Sequence, residues 1–361
     1  MVIGGPVMIS IGVVGCGYWG AKHIRVFNEI AEARVSAVCD LDKKRLGQVK
    51  LQYPYAAATH EFEEVLNADV DGVVIATPVD THYRLAKEAL LHNKNVLVEK
   101  PMTSSSEEAM ELIELAERRN KVLMVGHTFL YHPAVDLLRK LVMDDVLGDI
   151  YYIDSARLNL GLFRSDVDVL WDLAPHDTSI VLHLIGDEPI AVSARGAGHV
   201  DRSVCDVAYM ELRFDRELLV NIHVSWLDPC KVRRMIVVGS KKMAVYDDIS
   251  DTEKVRIYDK GIHVPSDDEK LTAWLPSYRF GDVVIPFLSN AEPLKLECTD
   301  FVHSIAKGTK PRSDGWSGLR VVNVLEAAKK SLANGGRRLR PSPIMSRAKA
   351  DSGRFVRSEI K

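Results

Sequence analysis

ISIGVVGCGYWGAKHIRVF, residues 9–27, is an apolar run that breaks into glycines and resumes as a helical pattern. Gly15, Gly17 and Gly20 give the break the spacing G-x-G-x-x-G. The first glycine permits a tight turn, the second lets a pyrophosphate approach the backbone, and the third lets the next helix pack closely on the strand. The amino end of that helix then faces the phosphates with free amides and a partial positive charge. Tyr18 and Trp19, in the variable positions, join the glycines as expected cofactor contacts. Alone the pattern is weak, because glycine-rich turns are common.

Its surroundings strengthen it. RVSAVCD reads as a second strand and ends in Asp40, twenty residues beyond Gly20, where an acid can hydrogen-bond the adenosine ribose hydroxyls. The alternative reading of Asp40 is a solvated acid at a strand end. An acid here repels a 2′-phosphate, which favours NAD over NADP, although Lys43, Lys44 and Arg45 lie close enough to weaken the preference. DGVVIATP, NVLVEKP and KVLMVGH read as buried strands alternating with helices around HYRLAKEALLHN, where Asn93 suits a left-handed cap, and SSSEEAMELIELAERR, with serine caps and early acids. Six such strands form a doubly wound parallel sheet that binds ligands at its carboxyl ends. Thr77, Pro78 and His82 follow one of these ends; Glu99, Lys100 and Pro101 follow another. A lone lysine at a strand end is ordinarily solvated.

A different pattern holds after Gly148. DVAYMELRFD, ELLVNIHVSW and RRMIVVGSKKMAVYDD alternate with period two, as strands of a sheet with one covered face do. Helices are expected near 172–186, 295–307 and 317–332. In LWDLAPHDTS, residues 170–179, Asp172 and His176 stand four apart and share a helix face. Pro175 limits where that helix begins, which places its start near Asp172. Arg157 and Asn159 share a strand face, either as contacts to substrate oxygens or a phosphate, or as exposed surface. Tyr131 is a candidate sugar contact, His132 packs or caps a helix, and Asp177 points away from His176 as a supporting group. LPSYRFGDVVIP reads as a loop for substrate or a second subunit, with Tyr278 and Arg279 as contacts. His176 and His183 lack the companions of a zinc shell, so no metal is expected.

With 361 residues, 47% hydrophobic, 27% charged and a net charge of -3, the chain has room for two cores and no general affinity for nucleic acid. No apolar run is long enough to span a bilayer, no signal peptide is expected from the opening MVIGGPVMIS, and five scattered cysteines suit a reducing compartment. A cytoplasmic protein without membrane or nucleic-acid partners is expected. The tail from Gly335 carries eight basic residues and two acids, as a disordered or surface-wrapping segment does, or one that grips a neighbouring subunit or an anionic ligand.

In order, the glycine fingerprint, ATP followed by His82, EKP and the D-x-x-x-H of Asp172 and His176 resemble the Gfo/Idh/MocA family of sugar dehydrogenases, from about Ile9 to Lys330. The resemblance implies an α/β plus α+β protein. An N-terminal Rossmann domain (1–128) with a doubly wound parallel sheet precedes a substrate and oligomerisation domain (129–335) with an open, mostly antiparallel sheet and helices on one face, then a basic tail (336–361). It implies a homodimer or homotetramer through the C-terminal sheet, cofactor contacts from the Thr77-Pro78 turn, His82, Glu99 and Lys100, and a catalytic set of Lys100, Asp172 and His176 that also touches substrate. GHTFLYHPAV and WDLAPHD look most like members that oxidise or reduce carbon 3 of a UDP- or dTDP-linked hexose, such as UDP-N-acetylglucosamine or its uronic acid. Free-sugar or inositol dehydrogenases, and non-catalytic NAD-binding regulators, are the alternatives. The chemistry agrees with an NAD-dependent oxidoreductase. Imidazole suits a base at neutral pH, an ammonium at Lys100 steadies an alkoxide, and Asp172 either orients the imidazole or binds a neighbouring hydroxyl.

Overall fold

The computed structural model describes residues 8–164, 167–263 and 277–344. In the first half β1 (Ile9–Val14), α1 (Tyr18–Glu29), β2 (Ala33–Cys39), α2 (Lys43–Gln52), β3 (Ala57–Thr59), α3 (Phe62–Asn67), β4 (Gly72–Ile75), α4 (Val79–Leu91), β5 (Asn95–Glu99), α5 (Ser106–Arg119) and β6 (Leu123–Gly126) alternate along the chain. The strands pair in parallel in the order β3-β2-β1-β4-β5-β6. The reversal between β1 and β4 opens a crevice at their carboxyl ends, beside the glycine turn. β4 is buried at every position, as a central strand covered on both faces must be.

Local signals were read correctly at several helix ends. Ser105 caps α5 by accepting from the Glu108 amide at 3.2 Å, and Asn120 closes it in the left-handed conformation. Asn93 has φ 58° just beyond α4. The short edge strand β3 has no sequence pattern of its own.

The second half contains α6 (Pro133–Met143), β7 (Ile150–Leu160), α7 (Val169–Ile185), β8 (Ala191–Ala197), β9 (Val207–Arg213), β10 (Leu219–Ser225), β11 (Leu227–Gly239), β12 (Met243–Asp247), β13 (Val255–His263), β14 (Ser277–Val284), α8 (Pro293–Lys307) and α9 (Gly315–Ala333). Its sheet runs β14-β13-β12-β11-β7-β10-β9-β8, and β7 with β10 is the parallel pair among antiparallel neighbours. α7 packs on β7, β9 and β10, and α9 on β8.

Two expectations need correction. The helix carrying Asp172 and His176 begins at Val169, because Asp168 caps it by accepting from the Trp171 amide at 2.9 Å. Pro175 therefore lies inside the helix, where it leaves the Trp171 carbonyl without its intrahelical donor. The expected loop around Tyr278 and Arg279 is β14, with every residue exposed; Arg279 bonds Asp259 at 3.0 Å. The first two residues of that stretch, and the basic tail beyond Ile344, lie outside the described residues. Before that point Leu339 pairs with Val192.

The closing helices tie the halves together. α8 lies against α1, with the Phe27 and Phe301 rings 6.3 Å apart and both fully buried. α9 starts beside β6, where Ser313 bonds Val125 through both its hydroxyl and its carbonyl. Phe301→Ala should therefore cost about 3–5 kcal/mol in urea unfolding. A loss below about 1 kcal/mol would mean that α8 does not pack on the first half as described.

Candidate active site

The glycine turn is shaped for a dinucleotide. Gly15 has φ +88°, and a Cβ there would lie 2.5 Å from the Ala76 carbonyl. A Cβ on Gly20 would lie 1.7 Å from the Gly15 oxygen. At Gly17, by contrast, a Cβ would meet nothing nearer than an Arg45 nitrogen at 3.6 Å. Gly17 also begins α1 without a side-chain cap, which leaves the first helical amides for a ligand.

Asp40 braces this turn. Its Oδ2 accepts from the Cys16 amide at 2.6 Å and its Oδ1 from the Asp42 amide at 2.8 Å, with Arg45 at 3.7 Å. Each oxygen keeps a second lone pair for a ribose hydroxyl. Tyr18 is exposed and its hydroxyl accepts from Lys22, which holds the phenol below its ordinary pKa; Trp19 stands edge-on to it at 5.5 Å.

The expected cofactor contacts after β4 also shape the turns there. The Thr77 hydroxyl bonds Thr81 at 2.6 Å, and Pro78 precedes α4 as its cap. His82 is 1% exposed, with Nδ1 2.9 Å from the Pro101 carbonyl and Nε2 2.9 Å from the Thr77 carbonyl. It thus ties the turn after β4 to the turn after β5 and cannot reach a ligand. Glu99 is buried too. Its carboxylate accepts from the Lys100 amide at 3.2 Å and lies 2.8 Å from Nε2 of His23, whose Nδ1 is 3.5 Å from the Cys298 thiol. Nothing in the sequence pattern had singled out His23, an inward-facing residue of α1.

Lys100, Asp172 and His176 come together across the two halves. Lys100 is only 10% exposed at its side chain; Nζ donates to the Asp172 carbonyl at 2.7 Å and lies 3.5 Å from Oδ1. The Asp172 carboxylate also accepts from Arg164 at 3.4 Å and from the Trp226 indole at 3.1 Å. It makes no bond to His176, so one of its two expected roles, orienting the imidazole, is not what this geometry provides. The His176 Nδ1 is buried without a partner, and its ring meets the edge of Phe129 at 5.1 Å. Burial, with the Lys100 and Arg157 charges, drives its pKa well below 6.5. Burial also lowers Lys100, while Asp172 and Glu99 oppose that shift. The arrangement offers a neutral imidazole one turn from an ammonium with donors to spare. Trp226, Phe129 and Arg164 had no distinguishing spacing in the sequence.

Expected substrate contacts divide sharply. Tyr131 is 3% exposed, and its hydroxyl donates to Asp300 at 2.7 Å beside Ser313, so it is a strut between α8 and the first half and not a sugar contact. Arg157 is buried, holding Asp177 at 2.6 and 3.3 Å across the Phe129 ring, and so is neither exposed surface nor free for substrate. Asp177 is the supporting group expected. Asn159 is half-buried on β7. His132 caps α6 by accepting from the Ala134 amide at 3.0 Å, and His183 takes Arg139 at 3.0 Å. Among the described residues no cluster suits a metal, and no helix is long and apolar enough to cross a membrane. A cleft of about 710 Å³ bounded by Asn95, Lys121 and Trp316 opens at the amino ends of the strands, away from these groups.

Comparison with known proteins gives a consistent result. Residues 9–127 match the family model described as an oxidoreductase family with an NAD-binding Rossmann fold, and residues 135–245 match the GFO/IDH/MocA C-terminal domain. UDP-N-acetylglucosamine 3-dehydrogenase from Acidithiobacillus ferrooxidans is 32% identical over 86% of this chain and 93% of that protein. A solved structure of that enzyme has a TM-score of 0.77 at 28% identity, covering 91% of this chain and 99% of the other. Inositol 2-dehydrogenase from Rhizobium meliloti is 23% identical over 90% of this chain and 97% of its own length.

The buried histidines set an acid limit on stability. His127 and His183 are both lowered from 6.5 to about 4, chiefly by burial, and His176 moves the same way. Below pH 6.5 the unfolded chain takes up protons that the folded chain refuses, so stability present above that pH is lost on acidification toward 4. His127, sealed with both ring nitrogens unpartnered, should account for about 3 kcal/mol of that loss. Urea unfolding at pH 7 and pH 4.5 should show a smaller difference for His127→Leu than for wild type; an equal difference would rule out that role.

Proposed function

This chain belongs to the Gfo/Idh/MocA oxidoreductase family, with the family's NAD-binding Rossmann domain at its amino end, and from that premise we propose that it oxidises or reduces carbon 3 of a nucleotide-linked hexose. UDP-N-acetylglucosamine is the first candidate, supported by the likeness to the Acidithiobacillus enzyme. The single observation that carries the catalytic reading is the 2.7 Å bond from Lys100 to the Asp172 carbonyl, one turn before His176.

The glycine turn, the open side of Gly17 and the braced Asp40 fit the dinucleotide. NAD, when bound, supplies the hydride acceptor. On the protein's side, neutral His176 takes the hydroxyl proton as the carbon–hydrogen bond breaks and the ketone forms. Lys100 donates to the reacting oxygen and favours its negative charge. Asp172 keeps that ammonium charged and aimed, and Trp226 fixes the Asp172 carboxylate. In the reverse direction protonated His176 is the acid. A non-catalytic NAD sensor has no use for this meeting of three groups. Inositol and free-sugar substrates are the second reading, favoured by the inositol dehydrogenase likeness. We also propose a homo-oligomer through the outer face of the C-terminal sheet, where Tyr152, Tyr209, Leu219, Phe280 and Val283 are exposed.

Absorbance at the NADH band with UDP- and dTDP-sugars, free hexoses and inositol tests the substrate reading; turnover confined to inositol would exclude a nucleotide sugar. His176→Ala should lower kcat by roughly 10²–10⁴-fold and Lys100→Ala by roughly 10²–10³-fold, with NAD binding retained. In wild type, kcat/KM should hold steady as the pH falls through 6.5 and decline only at lower pH, because His176 protonates well below the ordinary imidazole value. Activity that instead rises with pH through the alkaline range, as a base of lysine type gives, would transfer the proton-accepting role to Lys100.

A further inference from the structure

Beyond the reacting centre, β11 carries two cations on the wall that faces it. We propose that Lys231 and Arg233 form a subsite for the diphosphate of the substrate, an inference that rests on the site reading above and fixes its substrate class as a nucleoside diphosphate-linked sugar.

The placement follows from strand register. Arg233 is the cross-strand partner of Arg157, so both side chains stand on one face of the sheet. Lys231 lies two residues before Arg233, where the ladder's register shifts, and its charge reaches Tyr18 as that of Arg233 does. Arg157 lies 4.5 Å from the centre of the Phe129 ring, and Phe129 meets His176 at 5.1 Å. A continuous path of contacts thus runs from the imidazole through Phe129 and Arg157 to Arg233. The two cations also act on the opposite wall: both contribute to holding the Tyr18 phenol low, after Lys22, and Arg233 depresses His176.

Charge balance singles out the same pair. Two guanidinium groups facing each other on adjacent strands repel. Arg157 is answered by Asp177, in a buried two-bond pair. Arg233 is 38% exposed and has one contact with Asp248, at 3.3 Å, on a carboxylate already shared with the Tyr246 hydroxyl and His132. Most of its donors stay open. Lys231 is exposed, and the neighbouring acid Asp228 is turned onto the Cys230 amide at 2.9 Å. A planar fork beside a point charge suits a diphosphate. In a hexose linked through carbon 1, only carbon 2 separates the anomeric carbon from carbon 3, so the diphosphate stays close to the reacting carbon, and Arg233 is near enough for its charge to act on His176. The pyrophosphate of the cofactor already has the α1 amides. An uncharged polyol would leave both cations unanswered.

The test is isothermal titration of UDP, uridine and NAD into the full-length protein, comparing wild type with Lys231→Ala and with Lys231→Ala/Arg233→Gln. Wild type should bind UDP more tightly than uridine. The double variant should lose about tenfold or more in UDP affinity, a scale set by charged hydrogen bonds, with uridine and NAD unchanged. Lys231→Ala, at an exposed position, should lose part of that without a change in Tm, which guards against misfolding at Arg233. Unaltered UDP binding in both variants overturns the subsite and leaves the nucleotide-sugar reading standing. Equal losses for UDP and NAD would assign the cations to the cofactor instead. Wild type that fails to bind UDP defeats both readings, whereas the oxidoreductase assignment survives if inositol is turned over.

Discussion

A lysine ammonium held 2.7 Å from a helix carbonyl is the contact on which the site depends. Lys100 leaves the end of β5 in the parallel sheet, and Asp172 belongs to α7, which packs on the other sheet. Burying an ammonium is costly unless it is paired and hydrogen-bonded. Here the Asp172 carbonyl and carboxylate receive it, and Glu99 stands behind it, so the two halves are held in one relative placement. The supports extend further back. Glu99 rests on His23, His23 on Cys298, and Cys298 lies in α8, the helix whose Phe301 packs against α1. Packing remote from the chemistry thereby sets where the ammonium sits.

The same environment separates two titratable groups that share a pocket. Burial penalises the charged form of both Lys100 and His176. Lys100 has two carboxylates to offset that penalty, whereas His176 has an unpartnered Nδ1, and the charges that act on it most, Lys100 and Arg157, add to the penalty. Unequal partners, more than unequal burial, leave one group as the cation and the other as a neutral base in the proposed reaction. Arg157 contributes to this through its charge, from a position that substrate does not reach.

Much of the fold was legible because its signals are local. The glycine spacing, the caps at Ser105 and Asn93, and the two-residue period of β9 and β10 each reflect a backbone requirement within a few positions. The start of α7 differs from the expectation because Pro175 reads as a first-turn residue, whereas Asp168, a stronger start signal, sets the first turn three residues earlier. The ordering of Lys100, Asp172 and His176 along the chain was readable; their mutual geometry was not, since the Asp172 carboxylate turns to Trp226 and Arg164 and away from the imidazole. Tyr131, His82 and Glu99 were read as ligand contacts, and each proved to be an internal tie. Their partners, Asp300, Pro101 and His23, are set by tertiary packing that no spacing records. Polar residues at strand ends serve the ligand or the frame, and burial distinguishes the two.

A crystal structure of this protein with NAD and a nucleotide sugar would test the central claim most directly. The nicotinamide ring and the reacting carbon should lie about 3–3.5 Å apart, as a near-attack geometry requires, with the Lys100 ammonium and the His176 imidazole both within hydrogen-bond reach of the oxygen on that carbon. A nicotinamide placed away from Lys100, or a substrate oxygen that meets neither group, would contradict it.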